Sequence, residues 1–151
     1  MQNVKKNLMS LPSYDYAVYL LSMRLQSSGE LALKMKRKGY GKSETSDAIQ
    51  RLTDLGFVND AQFAQIYFEN LVKYKLFGYF GIKKKLMQRF IAPAIVDSLL
   101  RKFTVSNETL IAGKILAKNK SKTKEQLARM LVSRGFRSEV VYKVSGAAEE
   151  L

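Results

Sequence analysis

One interval pattern limits what this chain can fold into more than any other feature. Leu31, Met35 and Tyr40 recur as Ile82, Leu86 and Ile91, and again as Leu127, Leu131 and Phe136. The internal offsets are four and then five residues in every copy, and the copies lie 51 and 45 residues apart. Residues at i and i+4 share a helix face, so the first two of each trio line one side of a helix and the third follows its end. Apolar patterning repeated at this period predicts helical units that bury their faces against one another.

The ends of these helices repeat as well. Gly39 and Gly135 precede the third member of their trios, where a left-handed cap favours glycine. Phe90 takes that place in the middle copy, so its helix is expected to end another way. Ser27-Ser28-Gly29-Glu30 and Thr123-Lys124-Glu125-Gln126 read as capping boxes. The middle copy has Gly78 and Gly81 instead, which predicts a weaker start.

Flanking helices complete each unit. Tyr14 to Leu25, Asp60 to Tyr74 and Asn107 to Ala117 precede the basic helix, entered through Ser13, Asn59 and Ser106. Ser43 to Leu55, Pro93 to Phe103 and Ser138 to about Ser145 follow it, and Val105-Ser106-Asn107 is expected to break the second unit from the third. No strand pattern survives. The expected fold is all-α, with three tandem three-helix repeats forming an elongated array. Residues 1–13 are expected to be a flexible tail, with repeats over 14–57, 58–104 and 105–151, the last with a frayed C-terminus.

Charge follows the same blocks. Residues 24–42 are net +5, and 73–102 and 114–137 are each net +7, while 43–72 is net −4. The whole chain carries +13, which calls for a polyanionic partner: nucleic acid, an acidic protein surface or an anionic membrane. The membrane is the poorest of these, since no apolar stretch is long enough to span one and no signal-peptide core follows Lys5 and Lys6. The expected location is the cytoplasm, and self-repulsion at this charge favours a monomer.

Catalysis has little to work with. The absence of His and Cys excludes imidazole bases, thiol nucleophiles and the usual zinc or haem ligands. Gly78-Tyr79-Phe80-Gly81 lacks the Lys of a phosphate-cradling loop, and the carboxylates form no pair suited to acid–base work. The sequence predicts a binding protein with no cofactor, not an enzyme.

Several motifs together resemble a known family. Ala17-Val18-Tyr19-Leu20-Leu21-Ser22-Met23-Arg24, then Ser27, Glu30-Leu31 and Lys38-Gly39-Tyr40, look like the opening repeat of the RecX regulatory proteins. Leu52 to Asp60, followed by Phe63-Ala64 and Tyr67, looks like that family's junction between repeats, and Arg134-Gly135-Phe136 like its closing motif. The resemblance spans about residues 14–144. It implies three tandem three-helix repeats and a non-enzymatic modulator that binds the RecA recombinase filament on single-stranded DNA. Inhibition of strand exchange and of ATP hydrolysis is implied with it. One departure is clear: Gly78 to Ile82 lacks the Pro and Arg usual there, which shifts the expected contacts to Lys83, Lys84 and Lys85.

The surface expected to meet filament or DNA comprises Lys34 and Lys38 in the first repeat and Lys83, Lys84, Lys85 and Arg89 in the second. Lys124, Arg129 and Arg134 belong to it in the third. Lys38, Arg89 and Arg134 occupy equivalent places near a helix C-terminus, where a cation also suits the helix dipole. Tyr74, Phe77, Tyr79 and Phe80 interleave with the central lysines, a combination found where single-stranded bases stack on aromatics. Packing between repeats is the competing use for those rings. Two rivals to the filament reading stay open: a sequence-indifferent nucleic-acid binder, and an adaptor for an unrelated acidic protein.

Overall fold

A computed structural model describes residues 11–147. The described residues form nine α-helices and no strand. They are α1 (Ser13–Met23), α2 (Ser28–Lys38), α3 (Lys42–Asp54), α4 (Asp60–Lys73) and α5 (Tyr79–Gln88), then α6 (Pro93–Arg101), α7 (Val105–Lys118), α8 (Lys124–Ser133) and α9 (Ser138–Ser145). Three successive groups of three helices result, as the interval pattern demands. No described helix is long and apolar enough to cross a membrane.

The chain forms two compact units. One runs to Phe63 and includes Arg89–Ile91; the other comprises Ala64–Gln88 and everything from Ala92 onward. In the first, Tyr16, Ala17 and Leu20 of α1 pack with Leu31 and Met35 of α2, Ala48 and Leu52 of α3, and Val58. Leu11 joins this core from the expected tail, and its carbonyl accepts the Tyr40 hydroxyl at 2.7 Å. Residues 1–10 of that tail, and the last four residues of the chain, lie outside the described residues.

In the second unit Leu71, Ile82, Leu86, Val96, Leu100, Ile111, Ile115, Leu127 and Leu131 are buried. Phe68 and Phe103 meet edge to face with centroids 5.8 Å apart. Every member of the three sequence trios is buried except Tyr40, which is half-buried.

Four local expectations need correction. Phe90 ends its helix as the glycines do: its φ is 58°, beside 105° at Gly39 and 79° at Gly135. A left-handed non-glycine residue costs about 1–2 kcal/mol, so the surroundings must favour it. Close approach accompanies it: a Cβ added to Gly29 would lie 2.6 Å from the Cβ of Phe90, so a side chain at position 29 would not fit against this turn.

The start of α5 is served from outside its own helix. It has no capping box, yet Gly78 N–H donates to the Arg134 carbonyl at 3.0 Å and Phe80 N–H to the Gly135 carbonyl at 2.8 Å. Tyr79 N–H donates to Glu108 Oε1 at 2.8 Å. Partners from later in the chain thus satisfy amides that a local cap would otherwise serve.

Finally, Val105-Ser106-Asn107 does not break the chain but forms the first turn of α7. Thr104 is the N-cap, accepting from Asn107 N–H at 3.2 Å while Asn107 Oδ1 accepts from Thr104 N–H at 3.0 Å. Likewise Pro12, rather than Ser13, precedes α1. The caps at Ser27, Asn59 and Thr123 stand where the sequence puts them.

Candidate functional site

The α5 helix turns Ile82 and Leu86 into the core, so the residues at the complementary helical spacing face outward. Phe80, Lys83, Lys84 and Met87 line a shallow depression of about 460 Å³ with Gln88. Phe80 is 56% exposed and Met87 52%. Two large apolar side chains beside two lysines on one helix face make an amphipathic stripe, whereas an ordinary solvated surface mixes charge signs.

A buried carboxylate anchors the head of the helix that carries this stripe. Glu108 of α7 is fully buried and accepts Tyr79 N–H at the head of α5. Its other partners are the Arg137 backbone N–H at 3.1 Å and the Arg137 guanidinium at 3.0 Å. Arg137 also donates to the Phe103 carbonyl at 3.0 Å and lies 4.2 Å from the Tyr79 ring centroid. Burying a carboxylate is costly unless donors replace the water it loses, and these three do so. Sequence reasoning missed Glu108, though a signal was present: it lies three, four and seven residues before Ile111, Ala112 and Ile115, on the core face of α7.

The first unit carries a related arrangement. Asp60 accepts the Ser28 N–H at 2.7 Å and its hydroxyl as well. Glu30 completes the capping box and binds Arg24 at 3.2 Å and Arg89 at 3.1 Å. Ser27 Oγ donates to the Arg89 carbonyl at 2.6 Å while accepting from Glu30 N–H. Arg89 also stacks 4.8 Å from the Phe63 centroid. Arg89 is therefore engaged in the packing of the first unit, where the sequence alone suggested an open basic face.

The other expected contacts divide by environment. Lys34 bonds Gln26, and its pKa is pushed down by burial first and by Arg24 next. Lys38 is exposed, with Nζ 5.9 Å from the Tyr16 centroid. Lys85 turns away from the stripe to lie 5.6 Å over Phe77. Lys124 is exposed at the first turn of α8, and Arg129 is exposed beside Val132 and Tyr142. Arg134 donates to the Lys75 carbonyl at 2.7 Å. Lys83 and Lys84 thus come together with apolar neighbours, whereas Arg89 is removed from that set. Of the four aromatics, Tyr74 and Phe80 are exposed and Tyr79 packs beneath Arg137.

A family model described as the first three-helix domain of RecX matches residues 14–52, which span most of α1 to α3. The regulatory protein RecX of Haemophilus influenzae is 30% identical over 139 residues, covering 87% of this chain and 91% of that protein. The regulatory protein RecX of Listeria welshimeri is 24% identical over 152 residues and 95% of this chain, but the chain spans only 56% of that relative's length. The crystal structure of RecX from Lactobacillus salivarius superimposes with a TM-score of 0.76 at 19% identity, covering 92% of this chain and 95% of that one. Motif order, helical repeats and near full-length likeness to a relative agree: this chain belongs to the RecX family of regulatory proteins.

Proposed function

We propose that this protein is a non-enzymatic regulator that binds a RecA recombinase filament on single-stranded DNA and inhibits its strand exchange and ATP hydrolysis. The observation that carries the reading is the α5 stripe, where Phe80 and Met87 supply apolar anchors and Lys83 and Lys84 supply charge. Apolar anchors suit a protein surface, and lysines suit acidic residues or filament-bound phosphates, speeding encounter and making it salt-sensitive. Covalently linked repeats make further weak contacts gain from effective concentration. The regulator acts as a monomer in the cytoplasm, where a recombinase filament would be met. The test is strand exchange and ATP hydrolysis by a RecA recombinase titrated with the parent protein; no inhibition of either would end the reading.

A second reading, direct sequence-indifferent binding to nucleic acid, is favoured by one separate observation. Tyr74 is 67% exposed with Lys73 Nζ 5.3 Å from its ring centroid, an arrangement suited to a stacked base and its phosphate. Capture on bare single-stranded DNA against recombinase-coated DNA at matched salt separates the two.

A further inference from the structure

The connection between α4 and α5 builds a groove that the α5 stripe does not include. Its volume is about 610 Å³, and its walls carry Tyr74, Lys75, Phe77, Lys118 and Arg134. Three cations and two aromatic rings therefore converge, with no carboxylate among the lining residues.

The groove is shaped by an unusual backbone. Leu76 is buried yet adopts φ 56°, a left-handed conformation that side-chain-bearing residues rarely accept. Strain of this kind persists where surrounding contacts over-determine it, and it gathers at functional sites. Here it places the Lys75 carbonyl against the Arg134 guanidinium at 2.7 Å while Phe77 N–H returns to the Leu71 carbonyl at 3.1 Å. Arg134 is fixed by one of its five donors, and among the described residues no further bond engages the fork. Lys118, at the end of α7, is exposed on the same groove.

We propose that this groove is a binding site for single-stranded nucleic acid, with one base stacked on Tyr74 and the flanking phosphates on Lys75, Lys118 and Arg134. The ring is 67% exposed and offers a stacking surface that any base can use, and the cations provide the charge that tracks a backbone. An acidic peptide would use the cations but would leave the exposed ring without a stacking partner. The proposal takes its ligand class from the second reading above and adds the place and the mode of contact.

The chain contains no tryptophan, so Tyr74→Trp creates a single fluorescent reporter at the groove. Titration with a short oligothymidylate should quench that fluorescence, and the affinity should fall steeply as salt is raised. An abasic oligomer of the same length should bind more weakly and leave the emission unquenched. Tyr74→Ala should weaken oligothymidylate binding about 5- to 150-fold, the equivalent of the ~1–3 kcal/mol per stacked base. Lys118→Glu, away from the Arg134–Lys75 bond, should weaken it with the helical spectrum unchanged. The proposal is overturned if the oligomer does not bind at low salt, if it binds without changing the reporter's emission, or if Tyr74→Ala binds as tightly as the parent. It is also overturned if polyglutamate quenches as strongly as oligothymidylate, which would make the groove a site for acidic protein. The filament reading stands or falls separately, on inhibition of strand exchange, which none of these titrations measures.

Discussion

Glu108 and Arg137 form a buried ion pair at 3.0 Å whose carboxylate also anchors the first amide of α5. The pair joins the head of a helix in the second repeat to two elements of the third, so its loss should be felt well beyond one contact. Glu108→Ala leaves a guanidinium without its carboxylate and two amides without their acceptor, and should cost about 3–5 kcal/mol in chemical denaturation. Glu108→Gln keeps an acceptor and should cost less. Equal losses from the two substitutions would mean that volume, not charge, governs the site.

Two glycines should respond oppositely to alanine. A Cβ at Gly81 would come within 2.2 Å of the Arg134 carbonyl oxygen, so Gly81→Ala should destabilise by about 1–3 kcal/mol. Gly113 lies within α7 with nothing within 4 Å of such an atom. Gly113→Ala should therefore stabilise by up to about 1 kcal/mol through helix propensity. Denaturation midpoints moving in the same direction for both would contradict this packing.

The two outer capping boxes are not equivalent. Ser27 is fully buried and also donates to the Arg89 carbonyl, whereas the Thr123 cap is exposed. Ser27→Ala should cost towards about 2 kcal/mol and Thr123→Ala nearer 0.5, within the ~0.5–2 kcal/mol range of N-cap losses. The order of the two midpoints is the measurement.

Charge reversal separates the α5 stripe from the packing cations. Lys83→Glu with Lys84→Glu should leave the unfolding midpoint nearly unchanged, since surface substitutions usually stay within about 0.5 kcal/mol each. It should weaken inhibition of strand exchange well beyond a control reversing Lys5 and Lys6. Arg89→Glu, by contrast, sets a carboxylate against Glu30 and should lower stability by several kcal/mol, about the 3–5 expected for a broken buried pair. A doubly reversed protein that inhibits as well as the parent would reduce the α5 stripe to a solvated face.

Alkaline titration should single out the first repeat. Burial pushes the Tyr16 and Tyr40 phenols above the usual range, with a neighbouring tyrosine adding to each. A folded-state pKa raised above the unfolded one contributes stability that is present below about pH 10 and lost as pH rises through the folded value. Tyrosinate absorbance should therefore show two phenols ionising late, together with falling stability. Tyr40→Phe should remove one late step and the bond to the Leu11 carbonyl.

Helix placement was legible in the amino-acid order because periodic burial and local caps act over a few residues. Leu31 and Met35, Ile82 and Leu86, and Leu127 and Leu131 announced their helices at i, i+4, and the Ser27 and Thr123 boxes announced two helix starts without reference to anything distant. What the order left open lay wherever a group was satisfied by something far along the chain. Gly78 looked like an uncapped start because its acceptor, the Arg134 carbonyl, lies 56 residues away in the sequence. Phe90 gives no local sign of a left-handed turn, and the residue it packs closely against, Gly29, lies 61 positions earlier in the sequence. Arg89 and Lys83 were both simply cations in a basic run, and only folding assigned one to a buried carboxylate and the other to the surface. Sequence alone determined the repeats and their charge, which depend on neighbours along the helix. Tertiary structure decided which charges remain available, because desolvation and pairing are set by what packs against a side chain in space.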